Sequence, residues 1–210
     1  MPTSYLDDLN QAQRKAVTII KGPLLVIAGA GAGKTKTITY RILHLITEGV
    51  SPKKILAITF TNKAAREMRE RVHAQLALLP SIQGTQGEPW IGTFHALGVH
   101  ILRSHGRAIG IGARFAIFDR ADSLSALKKG MKRTDIDPNG RATGYSPKTF
   151  EPGRILAAIS REKGNMVTAK EFEAQAGNEY MPRIIAGVWM EYERILAEEK
   201  ALDFDDLLLK

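Results

Sequence analysis

The sequence predicts an α/β fold in which a parallel sheet carries helices on both faces, joined to a mostly helical second part. Three observations predict it. Short apolar runs at residues 24–28 and 55–60 are each followed at once by a turn or cap signal, then by apolar residues at helical spacing. Two such strand-helix units in succession require parallel strands, because only a crossover returns the chain to the same end of the sheet. Beyond His105 the pattern changes, and helical spacing replaces strand signals.

The elements follow in order. Asn10-Gln11-Ala12-Gln13 sets a good N-cap residue three before a glutamine, so that two side chains satisfy free backbone donors reciprocally, and a helix is expected over 11–19. Leu24-Leu25-Val26-Ile27-Ala28 runs straight into glycines and reads as a buried strand. Ile38, Ile42, Leu45 and Ile46 then mark a helix over 34–46. Residues 55–60 repeat the strand signal, Asn62 can cap the next helix, and Ala64, Ala65, Met68 and Val72 form its buried face. Trp90-Ile91-Gly92-Thr93 is a weaker third strand, with a third helix over 94–102. After glycines at 106, 110 and 112, and around a Gly/Pro-rich stretch at 137–153, helices are expected near 121–133, 152–163, 169–176 and 181–200. No further strand alternation, internal repeat or low-complexity tract is evident.

Composition narrows the class. The 210 residues hold 30 Lys+Arg against 22 Asp+Glu, a net +8, with 44% hydrophobic and 25% charged residues, as in an ordinary globular chain. There is no cysteine, which removes disulfides, thiolate metal sites and cysteine nucleophiles and fits a reducing compartment. The apolar run at 24–28 is far below the roughly 20 residues of a membrane span, and the acidic N-terminus Met-Pro-Thr-Ser-Tyr-Leu-Asp-Asp is unlike a signal peptide. A cytoplasmic location is expected. The charge is uneven: residues 1–102, 103–170 and 171–210 balance to +6, +8 and −6. A basic body suits nucleic-acid phosphates without demanding them.

Ala28-Gly29-Ala30-Gly31-Ala32-Gly33-Lys34-Thr35 carries the chemistry. It fits the phosphate-loop pattern of a small residue, four residues, then Gly-Lys-Thr, with Ala28 where the stricter form has glycine. Glycines let successive N–H groups turn inward on phosphate oxygens, and the following helix, with Lys36 in its first turn, offers its positive dipole end to the same charge. Lys34 would hold the β- and γ-phosphates of ATP, and Thr35 would offer its hydroxyl to Mg²⁺. The same residues could make a plain strand-to-helix turn, but such a turn has no reason to end in Lys-Thr.

Four segments together resemble the UvrD/Rep/PcrA family of superfamily 1 DNA helicases. Leu9-Asn10-x-x-Gln13-x-x-Ala16-Val17 is similar to the family's Q motif, in which glutamine reads the adenine edge. The phosphate loop is second, and Arg41 matches an arginine the family keeps near the nucleotide. Third, Ile58-Thr59-Phe60-Thr61-Asn62-Lys63-Ala64-Ala65-Arg66-Glu67-Met68 resembles motif Ia, which lies along single-stranded DNA. Phe60 would offer a stacking face, while Thr61, Asn62 and the helix start would suit a phosphate. Taken alone, Phe60 could equally be core and Asn62 only a cap. Fourth, Gly92-Thr93-Phe94-His95 is similar to motif Ib, so the resemblance places Thr93 and His95 at DNA as well. His95, His100 and His105 do not share a helical face, and no zinc site is assigned.

The resemblance implies a RecA-like P-loop NTPase domain 1A over 1–105, a helical 1B-like insert over 106–200 and the start of a return to domain 1A over 201–210. It also implies an ATP-binding front part of a DNA helicase, 3′ to 5′ in most relatives, acting on single-stranded DNA and single-strand/duplex junctions in replication or repair. Hydrolysis in the family needs an apolar strand ending in Asp-Glu; Asp205-Asp206 lack that context and are expected to cap or flank a helix. The C-terminal helicase domains, with their arginines, are missing from these 210 residues, so nucleotide and DNA binding without efficient turnover is expected. Two other readings stay open: a non-catalytic nucleotide- or DNA-binding module, and an unrelated P-loop kinase with a basic helical lid.

Overall fold

The structure, a computed structural model, describes residues 5–79, 87–134 and 150–210. The chain forms two compact units, Met1–Phe94 and His95–Lys210. In the first, helix α1 (Gln11–Thr18) begins at the expected capping box: Asn10 accepts from the Gln13 amide, and the Gln13 side chain accepts from the Asn10 amide. Helix α2 (Lys34–Thr47), strand β1 (Leu56–Thr59), helix α3 (Asn62–Ala77) and strand β2 (Trp90–Thr93) follow. β1 and β2 pair in parallel, with Ala57 opposite Ile91 and Thr59 opposite Thr93. Ile42 and Ile46 of α2 and Met68 and Val72 of α3 pack with Ile55, Ala57 and Ile91 in one cluster. These helices thus cover the face bearing Ala57, while Leu56 on the other face is 51% exposed. Helices on both faces were expected; among the described residues of this unit they lie on one.

Two local expectations are corrected here. Residues 24–28 form no strand: they join no ladder among the described residues, and Leu25 and Ile27 remain 84% and 89% exposed. Apolar character alone does not make a strand, which needs a partner for its N–H and C=O groups. The cap of α3 is Thr61, one residue earlier than expected; its hydroxyl accepts from the Ala64 amide at 3.1 Å, and Asn62 is the first helical residue.

In the second unit, helix α4, which starts at Phe94 and ends at His105, leads to strand β3 (Ala116–Phe118) and helix α5 (Arg120–Thr134). Helices α6 (Pro152–Gly164), α7 (Ala169–Gln175) and α8 (Tyr180–Glu198) precede strand β4 (Ala201–Asp203) and the short helix α9 (Asp206–Leu209). Most of the Gly/Pro-rich stretch lies outside the described residues. β3 and β4 pair in parallel, Ile117 opposite Leu202, where no strand was expected. Three residues are too few for alternation to be read. The core gathers Leu127 and Met131 of α5, Ile159 of α6 and Ile184, Trp189, Tyr192 and Ile195 of α8, each 0–1% exposed. Side chains of this size contribute roughly 1.5–3 kcal/mol apiece on burial. Gly98 lets α4 approach α9: a Cβ there would stand 2.0 Å from the Leu207 carbonyl oxygen.

Candidate functional site

The glycine loop takes the conformation its composition suggests. Gly31 and Gly33 have φ of 74° and 78°, in the left-handed region that favours glycine. Gly33 immediately precedes α2, whose start carries no side-chain cap, so its first amides remain available to an anion. Any side chain at Gly33 would also collide with Gln13 Nε2, 2.7 Å from the position of a Cβ. Gln13 is therefore packed directly on the loop, and its Nε2 donates to the Ala32 carbonyl at 3.1 Å.

Lys34 is exposed, and its ammonium donates to the carbonyls of Ala28 and Gly29 at 3.1 and 2.8 Å. No carboxylate pairs with it among the described residues. Thr35 is half-buried on the first turn of α2. Lys36 turns away from the loop: its Nζ donates to the Asp8 carbonyl at 2.5 Å and lies 5.5 Å from the Tyr40 ring centre. Tyr40 donates to Asp8 at 3.0 Å, and burial, then that carboxylate, raises its pKa. Arg41 donates to the Ala16 carbonyl at 2.7 Å, tying α2 to α1. Gln13, Lys34 and Thr35 thus converge with residues 28–33 on one loop, Arg41 reaches the α1 end of the same region, and Lys36 serves the packing of the 3-10 turn before α1.

The motif at the end of β1 divides between scaffold and surface. Thr59 is buried, and its hydroxyl donates to the Thr61 carbonyl at 3.1 Å, which shapes the turn. Phe60 is 91% exposed, with its ring centre 5.8 Å from that of Phe94, itself 46% exposed. Phe60 is therefore not core. Two neighbouring exposed aromatics beside the start of α3 form a surface that can stack bases and meet a phosphate. Thr93, at the end of β2, is buried at 8% exposure.

In the second unit, His95 is half-buried and meets Phe204 edge to face, with ring centres 5.4 Å apart. Phe204 is 50% exposed and was missed by the sequence reading. The available signal was an aromatic set among aspartates directly after Leu202, where a core side chain has no reason to lie. Asp203 and Asp206 bracket it, each side chain accepting from the other's backbone amide at 2.8 and 3.3 Å. Asp205 precedes α9, and Asp206 is its first residue, so the pair flanks a helix as expected. Asp206, at 0% exposure, is also fully buried.

The family model of the UvrD/REP helicase N-terminal domain matches residues 9–210. The chain is 43% identical over 206 residues to the ATP-dependent DNA helicase PcrA of Bacillus subtilis (strain 168), covering 97% of this chain and 26% of that protein. It is 42% identical over 208 residues to PcrA of Staphylococcus aureus (strain Mu50 / ATCC 700699), covering 98% and 26%. PcrA of Leuconostoc citreum is 40% identical over 202 residues, covering 96% and 25%. The chain spans about a quarter of the length of these relatives.

Proposed function

The chain belongs to the UvrD/REP helicase N-terminal domain family, and from that premise we propose that it is the nucleotide- and DNA-binding front part of an ATP-dependent DNA helicase. The observation that carries this reading is an uncapped helix start entered through positive-φ glycines, with Lys34 beside it and without a carboxylate among the described residues. The residues fit a nucleotide triphosphate with Mg²⁺. Residues 29–33 would cradle the phosphates with backbone amides, and Lys34 would exchange its two carbonyl partners for phosphate oxygens. Thr35 would offer its hydroxyl to the metal, and Gln13 and Arg41 would flank the base. ATP supplies the free energy of phosphoryl transfer when bound. No Asp-Glu pair occurs in the 210 residues, so these residues bind nucleotide without turning it over efficiently.

DNA is the partner supported by Phe60, Phe94, Thr61 and Asn62 in the first unit, and by His95 and Phe204 in the second. The strand would be single, because only unstacked bases reach aromatic faces. Single-strand/duplex junctions, 3′ to 5′ movement and a place in replication or repair follow from the family and belong to the whole helicase. Family membership removes the P-loop kinase reading.

A fluorescence titration of the 210-residue chain with oligo-dT at several salt concentrations tests this function. Affinity should fall as salt rises, and Phe60→Ala should weaken it by roughly tenfold, in line with about 1–3 kcal/mol per stacked base. Binding that is absent at low salt, or that Phe60→Ala leaves unchanged, would overturn it.

A further inference from the structure

Lys163 takes no part in the proposed nucleotide or DNA contacts, yet its ammonium is only 1% exposed and is held by three carboxylates from separate elements. Glu193 of α8 lies at 2.8 Å, Asp203 of β4 at 2.8 Å and Asp206 of α9 at 2.9 Å. The cluster extends further. Tyr192 donates to Asp203 at 3.0 Å, and Trp189 donates through its indole N–H to Glu193 at 3.1 Å. Burial opposes the charge on Lys163, but Asp206, Glu193 and Asp203 together raise its pKa above the ordinary lysine range. Asp206 is shifted upward by burial and by its two acidic neighbours, against the pull of Lys163.

The placement of these bonds gives the cluster a direction. Two of the three carboxylates, Asp203 and Asp206, are the ends of the reciprocal box that encloses Phe204. Lys163 is thus bonded to both walls of a four-residue turn whose one exposed aromatic points outward against His95. Burying a cluster of charges is expensive, and the whole cluster adds little net stability over apolar side chains of similar size in its place, so its use here calls for a geometric reason.

We propose that Lys163 is the positioning residue of the DNA-facing turn: it fixes Asp203 and Asp206, and through them sets the ring of Phe204 against His95. This rests on the DNA reading of Phe204 and His95. Because the box is anchored to α6 and α8, the aromatic pair moves with the helical core of the second unit. Base stacking at Phe204 therefore depends on a side chain that touches no DNA.

Lys163→Met, Phe204→Ala and the double variant, made in the 210-residue chain, test the proposal by oligo-dT affinity and by the NMR shift of the His95 ring protons, which feel the Phe204 ring current. Phe204→Ala should weaken binding by roughly tenfold. Lys163→Met should weaken it similarly and move the His95 signals in the same direction, and the double variant should bind no worse than Phe204→Ala. A double variant whose loss equals the product of the two singles would overturn the proposal, since Lys163 would then act independently of Phe204. So would a folded Lys163→Met with wild-type His95 shifts. If Phe204→Ala leaves affinity unchanged, the DNA reading of Phe204 fails, while movement of the His95 signals in Lys163→Met still decides the positioning claim. Should Lys163→Met not fold, Asp206→Asn replaces it: Lys163 keeps Asp203 and Glu193, and the His95 signals should move part of the way. Unmoved signals would overturn the proposal.

Discussion

Lys34 and Lys163 carry the same ammonium into opposite surroundings. Lys34 stands exposed at the start of α2, with two neutral carbonyls at 3.1 and 2.8 Å. Lys163 is sealed at the end of α6 among three carboxylates within 2.9 Å. Three buried carboxylates add direct charge–charge attraction in a surrounding of low dielectric constant, which two neutral carbonyls at an exposed site do not, so the second arrangement resists exchange and the first permits it. A cation proposed to receive an anion is left without one of its own. A cation meant to hold structure is saturated and excluded from water.

The largest expected effect tests the saturated half of this contrast. Removing one partner from a buried ion cluster leaves the others uncompensated, so Lys163→Met should cost roughly 3–5 kcal/mol in urea denaturation. Lys34→Met, at an exposed site, should stay within about 0.5 kcal/mol. Equal losses would erase the distinction. A smaller effect sharpens the other half. Gly33→Ala imposes a side chain on φ of 78° and a contact of 2.7 Å with Gln13, and should cost about 1–2 kcal/mol. It should also displace the loop, so nucleotide affinity should fall with stability; an unchanged affinity would show that the loop does not need the Gln13 contact.

Legibility in the sequence follows the same division. The phosphate loop, the Asn10 capping box and the turn after β1 depend on residues close together in the chain, and all three are read from spacing. The strand expected at 24–28 failed because its apolar pattern says nothing about a ladder partner, and none pairs with it among the described residues. β3 and β4 were missed because three-residue strands, with Ile117 and its register partner Leu202 separated by 85 positions, show no period. The Lys163 cluster was missed for the same reason of distance: its partners lie 30, 40 and 43 positions away, and nothing local marks a lysine at the end of a helix as buried. Phe60 could be core or surface by pattern alone, and its 91% exposure decides for surface.

The central claim, that Lys34 is a cation held ready for phosphate, is tested most directly by titrating a fluorescent ATP analogue with Mg²⁺ into the wild-type chain and Lys34→Ala, with the thermal midpoint of each measured in the absence of nucleotide. Saturable binding by wild type, its loss in Lys34→Ala and matching midpoints are the predicted result. Equal affinity of the two proteins would contradict it.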